Sequence, residues 1–229
     1  MVMMMMSPLM EILSVDGDTW ALRDFLPESI VSGLILIVGL GNPGSKYSQT
    51  RHNAGFWFLD ALQKKLGVDT GFRSQAKVLA DVYRARIYAT DCIFAKPAVF
   101  MNHSGQAVRA LLDYYRVPVA NLLIAYDDLD LPPGTARLKK GGGHGGHNGM
   151  RDTFRHLDST DFMRLRIGIG HPGFKDAVTG YVLSRAPSDQ ERLIMHSIGD
   201  AVAVMPDLLA GDVSKATKDL HTDAEPPVK

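Results

Sequence analysis

Fully apolar runs alternate along this chain with stretches in which hydrophobic residues recur every three or four positions. Leu34–Val38 is aliphatic throughout and is closed by Gly39, the pattern of a strand buried on both faces. From Asn53 to Leu66 the apolar residues Phe56, Leu59, Leu62 and Leu66 fall on one side of a helix that Gly67 stops. Residues 76–90 alternate as a strand pair, and Cys92–Ala95 forms a further strand before Pro97. A helix over Asn102–Arg116 follows from the spacing of Val108, Leu111, Leu112 and Tyr115, halted ahead of Pro118. Leu122–Tyr126 is a buried strand that runs into Asp127-Asp128-Leu129-Asp130, and Thr135–Lys139 is a short strand. The glycine-rich loop 141–149 opens a helix to Leu157, and Phe162–Gly170 alternates with Arg164 and Arg166 on one face. A capping box, Ser188-x-x-Glu191, starts a last helix directed towards Gly211, with Pro206 kinking or ending it. Strands interleaved with helices predict an α/β fold: a twisted mixed sheet, mostly parallel, in a single domain with helices on both faces.

Composition narrows this only slightly. The chain has 229 residues, 45% apolar and 22% charged, which suits one large globular domain. Its one cysteine, Cys92, sits in an apolar stretch and reads as a small buried hydrophobe in a reducing cytoplasm. The net charge is zero, yet residues 1–33 hold five acids and one base, leaving 24 bases against 20 acids in the remainder. Any basic surface must therefore be local. Six of the eleven methionines lie in the first ten residues, without the basic flank and cleavage site of a signal peptide. Residues 1–33 are read as an extension, expected to be poorly ordered or loosely docked. Residues 34–221 form the domain, and 222–229 a flexible tail. No run is long and apolar enough for a membrane span.

The first strand leads into Gly39-x-Gly41-x-x-Gly44, which raises the question of a dinucleotide site. That fingerprint needs a helix starting on the loop and an acid at the end of the next strand. Here Ser45–Arg51 is polar without an apolar stripe, and the acid at the expected distance, Asp60, lies inside a helical pattern. The second glycine run, GGGHGGHNG over 141–149, lacks the Gly-Lys-Ser/Thr of a phosphate-binding loop. His144 and His147 have no cysteine or carboxylate beside them in sequence, so a closed metal site is not expected.

The loops carry asparagine, histidine and aspartate instead. Asn42 and His52 follow the first strand, Asn102 precedes a helix, Asp127 follows a strand and Asn148 adjoins His147. Singly, each has an ordinary explanation as a turn residue, a helix cap or a solvated loop acid. Together they sit where open α/β sheets gather ligand sites.

Five segments carry a resemblance: VGLGNPGSKYSQTRHNAG (38–55), KPAVFMNHSGQAV (96–108), YDDLDLPPGTARLKKGGGHGGHNG (126–149), FMRLRIGIGHPG (162–173) and VTGYVLSRAP (178–187). In this order they resemble the bacterial peptidyl-tRNA hydrolases; Val99 departs from a frequent threonine. The resemblance implies hydrolysis of the ester between a peptide and the 3′-terminal ribose of tRNA. It implies His52 as catalytic base, Asp127 as the acid that orients it, and Asn42 as an amide placing substrate and water. Tyr47, Phe100, Asn102, His147 and Asn148 are implied as substrate contacts. No cofactor or metal is implied, and the partner is the acceptor end of peptidyl-tRNA, with no DNA or membrane and a monomeric state.

These residue types suit that reaction. An aminoacyl ester is activated, so an imidazole titrating near neutrality can deprotonate the attacking water. A carboxylate on its other nitrogen fixes the tautomer, and neutral carboxamides donate to the oxyanion without repelling the imidazolium. Since any peptidyl-tRNA is a substrate, phosphate contacts should outweigh base readout. Arg137, Lys139, Lys140, Arg151 and Arg155, with Arg164 or Arg166, are the candidates. A relative that keeps the fold and binds RNA without catalysis is the rival reading; a nucleotide-dependent oxidoreductase is a weaker one.

Overall fold

The computed structural model describes residues 33–67, 71–87 and 90–222. The extension 1–32 and residues 223–229 of the tail lie outside the described residues. Seven strands form one sheet in the order β2-β3-β4-β1-β5-β7-β6. They are β1 (Ile35–Gly39), β2 (Arg73–Gln75), β3 (Ala80–Ile87), β4 (Thr90–Pro97), β5 (Leu122–Asp128), β6 (Ala136–Lys140) and β7 (Met163–Gly168). The helices are α1 (Ala54–Lys65), α2 (Ser104–Tyr115), α3 (Asn148–His156), α4 (Val178–Val182), α5 (Ser188–Ala203), α6 (Met205–Leu209) and α7 (Val213–Thr222).

The sheet is mixed, as expected. Its centre, β4-β1-β5-β7, is parallel, and the flanking pairs β2–β3, β3–β4 and β6–β7 are antiparallel. The two antiparallel edges make the parallel share half of the pairings. Alternation along the central strands separates two cores. Ile37, Phe94, Leu123 and Leu165 face α1, α5, α6 and α7, whereas Leu36, Val38, Ile93 and Ile124 face α2 and α3. Cys92 is fully buried in the first core, where burial pushes its thiol up to about 12. It is a packing residue, as its apolar surroundings predict.

Two local expectations change. The alternation over 76–90 is one long strand, β3, entered through the short helical turn Ala76–Val78; its partner is β4, with Ile87 opposite Thr90. The capping box does not form, because Pro187 occupies the cap position and Glu191 accepts two hydrogen bonds from Arg185. Pro206 acts as anticipated: α5 ends at Ala203, and Pro206 lies in the first turn of α6. A further helix, α7, follows Gly211. Asp212 accepts from the Lys215 N–H, and Ala216 and Leu220 bury its inner face. His221 accepts from the Leu138 N–H, so the end of the expected domain is tied to β6, and Thr222, the first residue of the expected tail, belongs to α7. Among the described residues, no helix is long and apolar enough to cross a membrane.

The glycines of the first loop have a packing role. A Cβ on Gly39 would stand 2.2 Å from the Gly55 carbonyl oxygen, and one on Gly55 would stand 2.3 Å from that of Ala125. The paired glycines let the first turn of α1 touch the backbones of β1 and β5, which brings His52 to the sheet. Overpacking of a rigid backbone costs about 1–3 kcal/mol or more, so Gly55→Ala is expected to lower the unfolding free energy by at least that amount. Chemical denaturation would check it; an unchanged midpoint would refute the close approach.

Candidate active site

β1 continues to α1 on one face of the sheet and β4 to α2 on the other. A crevice opens between their C-terminal ends, the usual ligand position in an α/β sheet. The cleft there has a volume of about 300 Å³ and is lined by Asn42, Tyr47, His52, Phe100, Asn102, Asp127, His147 and Asn148, among others. Every catalytic and substrate residue inferred from the sequence therefore reaches one cavity.

No α-helix starts on the first glycine loop. The chain makes turns through residue 50, then a short helical turn, Arg51–Asn53, and only then α1. Asp60 lies within α1 and its carboxylate pairs with Lys96, so it is not the strand-end acid a dinucleotide ribose requires.

His52 sits on the helical turn and Asp127 near the end of β5. His52 Nδ1 lies 2.9 and 3.0 Å from the two carboxylate oxygens of Asp127, and both residues are buried. This contact aims Nε2 of His52 at the cleft. Burial disfavours the imidazolium, but the charge of Asp127 and its hydrogen bond more than offset that, and the net effect raises the pKa of His52. Burial likewise opposes ionisation of Asp127. Its two histidine partners prevail and hold the carboxyl well below the usual carboxylate range.

The second partner is His147, whose Nε2 is 2.9 Å from Asp127 Oδ1. The sequence shows no carboxylate beside this histidine; the fold supplies one from 20 residues away. His52, Asp127 and His147 present ligand atoms within 4.8 Å of one another, a spacing that would admit a cation. The hydrogen bonds favour protons instead. The Met150 N–H donates to His147 Nδ1 at 3.2 Å, so the lone pair is on Nδ1 and the proton on Nε2, the atom that would have to bind a metal. His147 lines the cleft as expected, and both of its ring nitrogens are engaged within the protein. His147 is also the helix cap of α3, the role considered for Asn148.

The three asparagines occupy different depths. Asn42 is buried and its Oδ1 accepts from the Met101 N–H at 2.8 Å, which leaves Nδ2 as the end available to the cleft. Asn102 and Asn148 are exposed at the rim. Asn148 Oδ1 accepts from Arg151 at 3.1 Å. At the mouth the rings of Tyr47 and Phe100 meet edge to face at 6.0 Å, and Phe100 is 54% exposed. α4 supplies the uncharged wall residues Val178, Thr179 and Val182.

Positioning residues account for most of what sequence reasoning missed. Asn53 clamps the first loop, its side chain accepting from the Asn42 N–H at 2.9 Å and donating to the Asn42 carbonyl at 3.0 Å. Arg51 is buried and donates to the carbonyls of Tyr181, Ser184 and Arg185, which fixes the α4 segment beside His52. Both flank His52 in Arg51-His52-Asn53, and that adjacency is the only sequence signal for them. Arg164, a phosphate candidate, is instead 2% exposed; it donates to Gly143 O at 2.7 Å and to Gly141 O, anchoring the glycine loop. Arg166 is committed to Asp128 at 2.6 Å. Arg137 donates to the His221 carbonyl, whereas Lys139, Lys140 and Arg155 are exposed, Lys140 beside Asp161.

The peptidyl-tRNA hydrolase family model matches residues 36–227 of the chain. The peptidyl-tRNA hydrolase of Halorhodospira halophila is 50% identical over 186 residues, covering 81% of this chain and 95% of that protein. That of Stenotrophomonas maltophilia is 49% identical over 192 residues, covering 84% and 99%. Among solved structures, the crystal structure of peptidyl-tRNA hydrolase from Acinetobacter baumannii superposes with a TM-score of 0.79 at 45% identity, covering 83% of this chain and 95% of that one. A complex of peptidyl-tRNA hydrolase with N-propanol gives 0.80 at 45% identity, covering 86% and 98%.

Proposed function

The chain belongs to the peptidyl-tRNA hydrolase family and is an ester hydrolase of peptidyl-tRNA; from that premise we propose how its own residues carry out the reaction. His52 takes a proton through Nε2 from a water that attacks the ester carbonyl. Asp127 holds Nδ1–H and steadies the imidazolium as it forms. Asn42 Nδ2 donates to the oxyanion, a role worth about 3–4 kcal/mol per donor. The imidazolium then returns its proton to the departing ribose oxygen, releasing free tRNA and peptide.

The observation that carries this reading is the buried contact of His52 with both oxygens of Asp127, beside a cleft that also holds Asn42. Tyr47, Phe100, Asn102 and Asn148 at the mouth receive the 3′ end of the tRNA and the peptide. Lys139, Lys140, Arg151 and Arg155, with Arg137, meet tRNA phosphates, a contribution that weakens with salt. Residues 34–221 are the catalytic unit, with 1–33 and 222–229 as appendages. The enzyme works as a monomer in the cytoplasm, without metal, cofactor, DNA or membrane.

The test is turnover of peptidyl-tRNA as a function of pH. Only neutral His52 can act as the base, and its pKa is raised by Asp127. The rate is therefore expected to fall on the acid side, with a midpoint above the ordinary imidazole value of 6.5. A rate that stays level through the neutral range would remove His52 as the base.

A further inference from the structure

Asp127 is shared. One carboxylate oxygen lies 2.9 Å from His52 Nδ1 and 2.9 Å from His147 Nε2, and the two rings are 5.0 Å apart. The mechanism above uses only the first of these contacts. A fully buried carboxylate has several lone pairs to satisfy, and each donor it accepts lowers the attraction left for the others.

The two histidines differ in what holds their far nitrogens. His52 Nε2 faces the cleft and is free to exchange a proton with water. His147 Nδ1 accepts the Met150 N–H at the start of α3, so a proton cannot move onto it without breaking that helix cap. Tyr126 packs edge-on against the His147 ring at 5.1 Å and restrains its orientation. Loop 141–147 is itself anchored by the buried guanidinium of Arg164.

We propose that His147 is a positioning residue, locked as the Nε2–H tautomer by Met150, that donates the second hydrogen bond to Asp127 and thereby sets how strongly the carboxylate holds the proton of His52. This inference rests on the reading of His52 as the base. It separates two chemically identical side chains by backbone geometry: one exchanges protons, the other stays a fixed donor. The other ionisable groups around His52 are Tyr126 and Asp128 of β5, the latter paired with Arg166, together with His144 on the glycine loop and Tyr47 on the first loop. α4 presents only uncharged side chains to the cleft. His147 is thus the group in contact with Asp127 through which the partner of His52 can be adjusted.

Two substitutions divide the roles of the ring. His147→Asn keeps a short acceptor for the Met150 N–H and lacks the reach to Asp127. His147→Gln gives up the cap acceptor but places a neutral N–H donor near the former Nε2. The Gln variant should retain turnover and pH profile close to wild type. The Asn variant should lose about tenfold in kcat with little change in KM, the usual scale for a hydrogen bond to a charged group. Its acid limb should move to higher pH, because Asp127 then attracts the His52 proton more strongly.

Nitrogen NMR of the histidine rings in the wild-type protein, at a pH where His52 is neutral, should show the proton of His147 on Nε2 and none on Nδ1. A proton on Nδ1 would overturn the proposal. So would a Gln variant as impaired as the Asn variant, or two variants that raise KM alone with an unmoved pH profile, the signature of a substrate contact. Absence of turnover in the wild type would sink the hydrolytic mechanism instead, and the nitrogen spectrum would still decide the tautomer.

Discussion

His52→Ala is expected to lower kcat on peptidyl-tRNA by about 10²- to 10⁴-fold, the range for loss of a general base. The attacking water then has no acceptor for its proton at neutral pH, and the ribose oxygen leaves without a donor. The fold should survive. Removing the imidazole does not strand Asp127 as an unpartnered buried charge, because His147 still donates to the same carboxylate oxygen. Arg51 and Asn53, on either side of His52, keep their own hydrogen bonds to the α4 segment and to the Asn42 loop. Single-turnover kinetics beside a thermal melt would separate the two effects. A fall in turnover matched by loss of folded protein would mean that His52 is structural.

Asp127→Asn is expected to cost a similar factor, up to about 10⁴, through the tautomer of His52. The native carboxylate meets His52 Nδ1 with both oxygens but His147 Nε2 with only one. His147 is a fixed donor, so the amide oxygen of the variant must occupy the Oδ1 position to accept from it. The amide nitrogen then takes the place of Oδ2, 3.0 Å from His52 Nδ1 in the native enzyme. Two N–H groups cannot face each other there. His52 shifts its proton to Nε2, where it blocks the attacking water. The variant should therefore be nearly inactive at every pH, with unimpaired tRNA binding. A residual rate with the native pH dependence would mean that Asp127 does not control the tautomer.

The sequence carried much of this arrangement, and the reason differs between elements. Central strands buried on both faces appear as unbroken aliphatic runs, so β1 and β5 were readable from composition alone. α1 and α2 showed their periodicity because one face of each is buried. The antiparallel edge was harder to read: Arg73–Gln75 is short, polar and largely exposed, so no pattern marks it. α7 leaves no periodic signal because the segment after Gly211 is mostly polar, with only Ala216 and Leu220 buried. The chemistry of the loops showed itself as residue types, which are compatible with caps and turns until several are brought together.

What the sequence determined by itself is the alternation of strand and helix, the failure of the first glycine motif as a dinucleotide site, and the presence of histidine, aspartate and asparagine in loops beside the strands. All of these depend on neighbours within a few residues, where periodicity, turn chemistry and side-chain type are direct evidence. Only the tertiary structure decided that His147 shares Asp127 with His52, that Arg164 braces a loop rather than meeting phosphate, and that Arg51 fixes α4. Those contacts join residues 20 to 134 positions apart. They depend on sheet order and on ångström-scale approach, such as the backbone contact of Gly39 with Gly55, which short-range pattern does not encode.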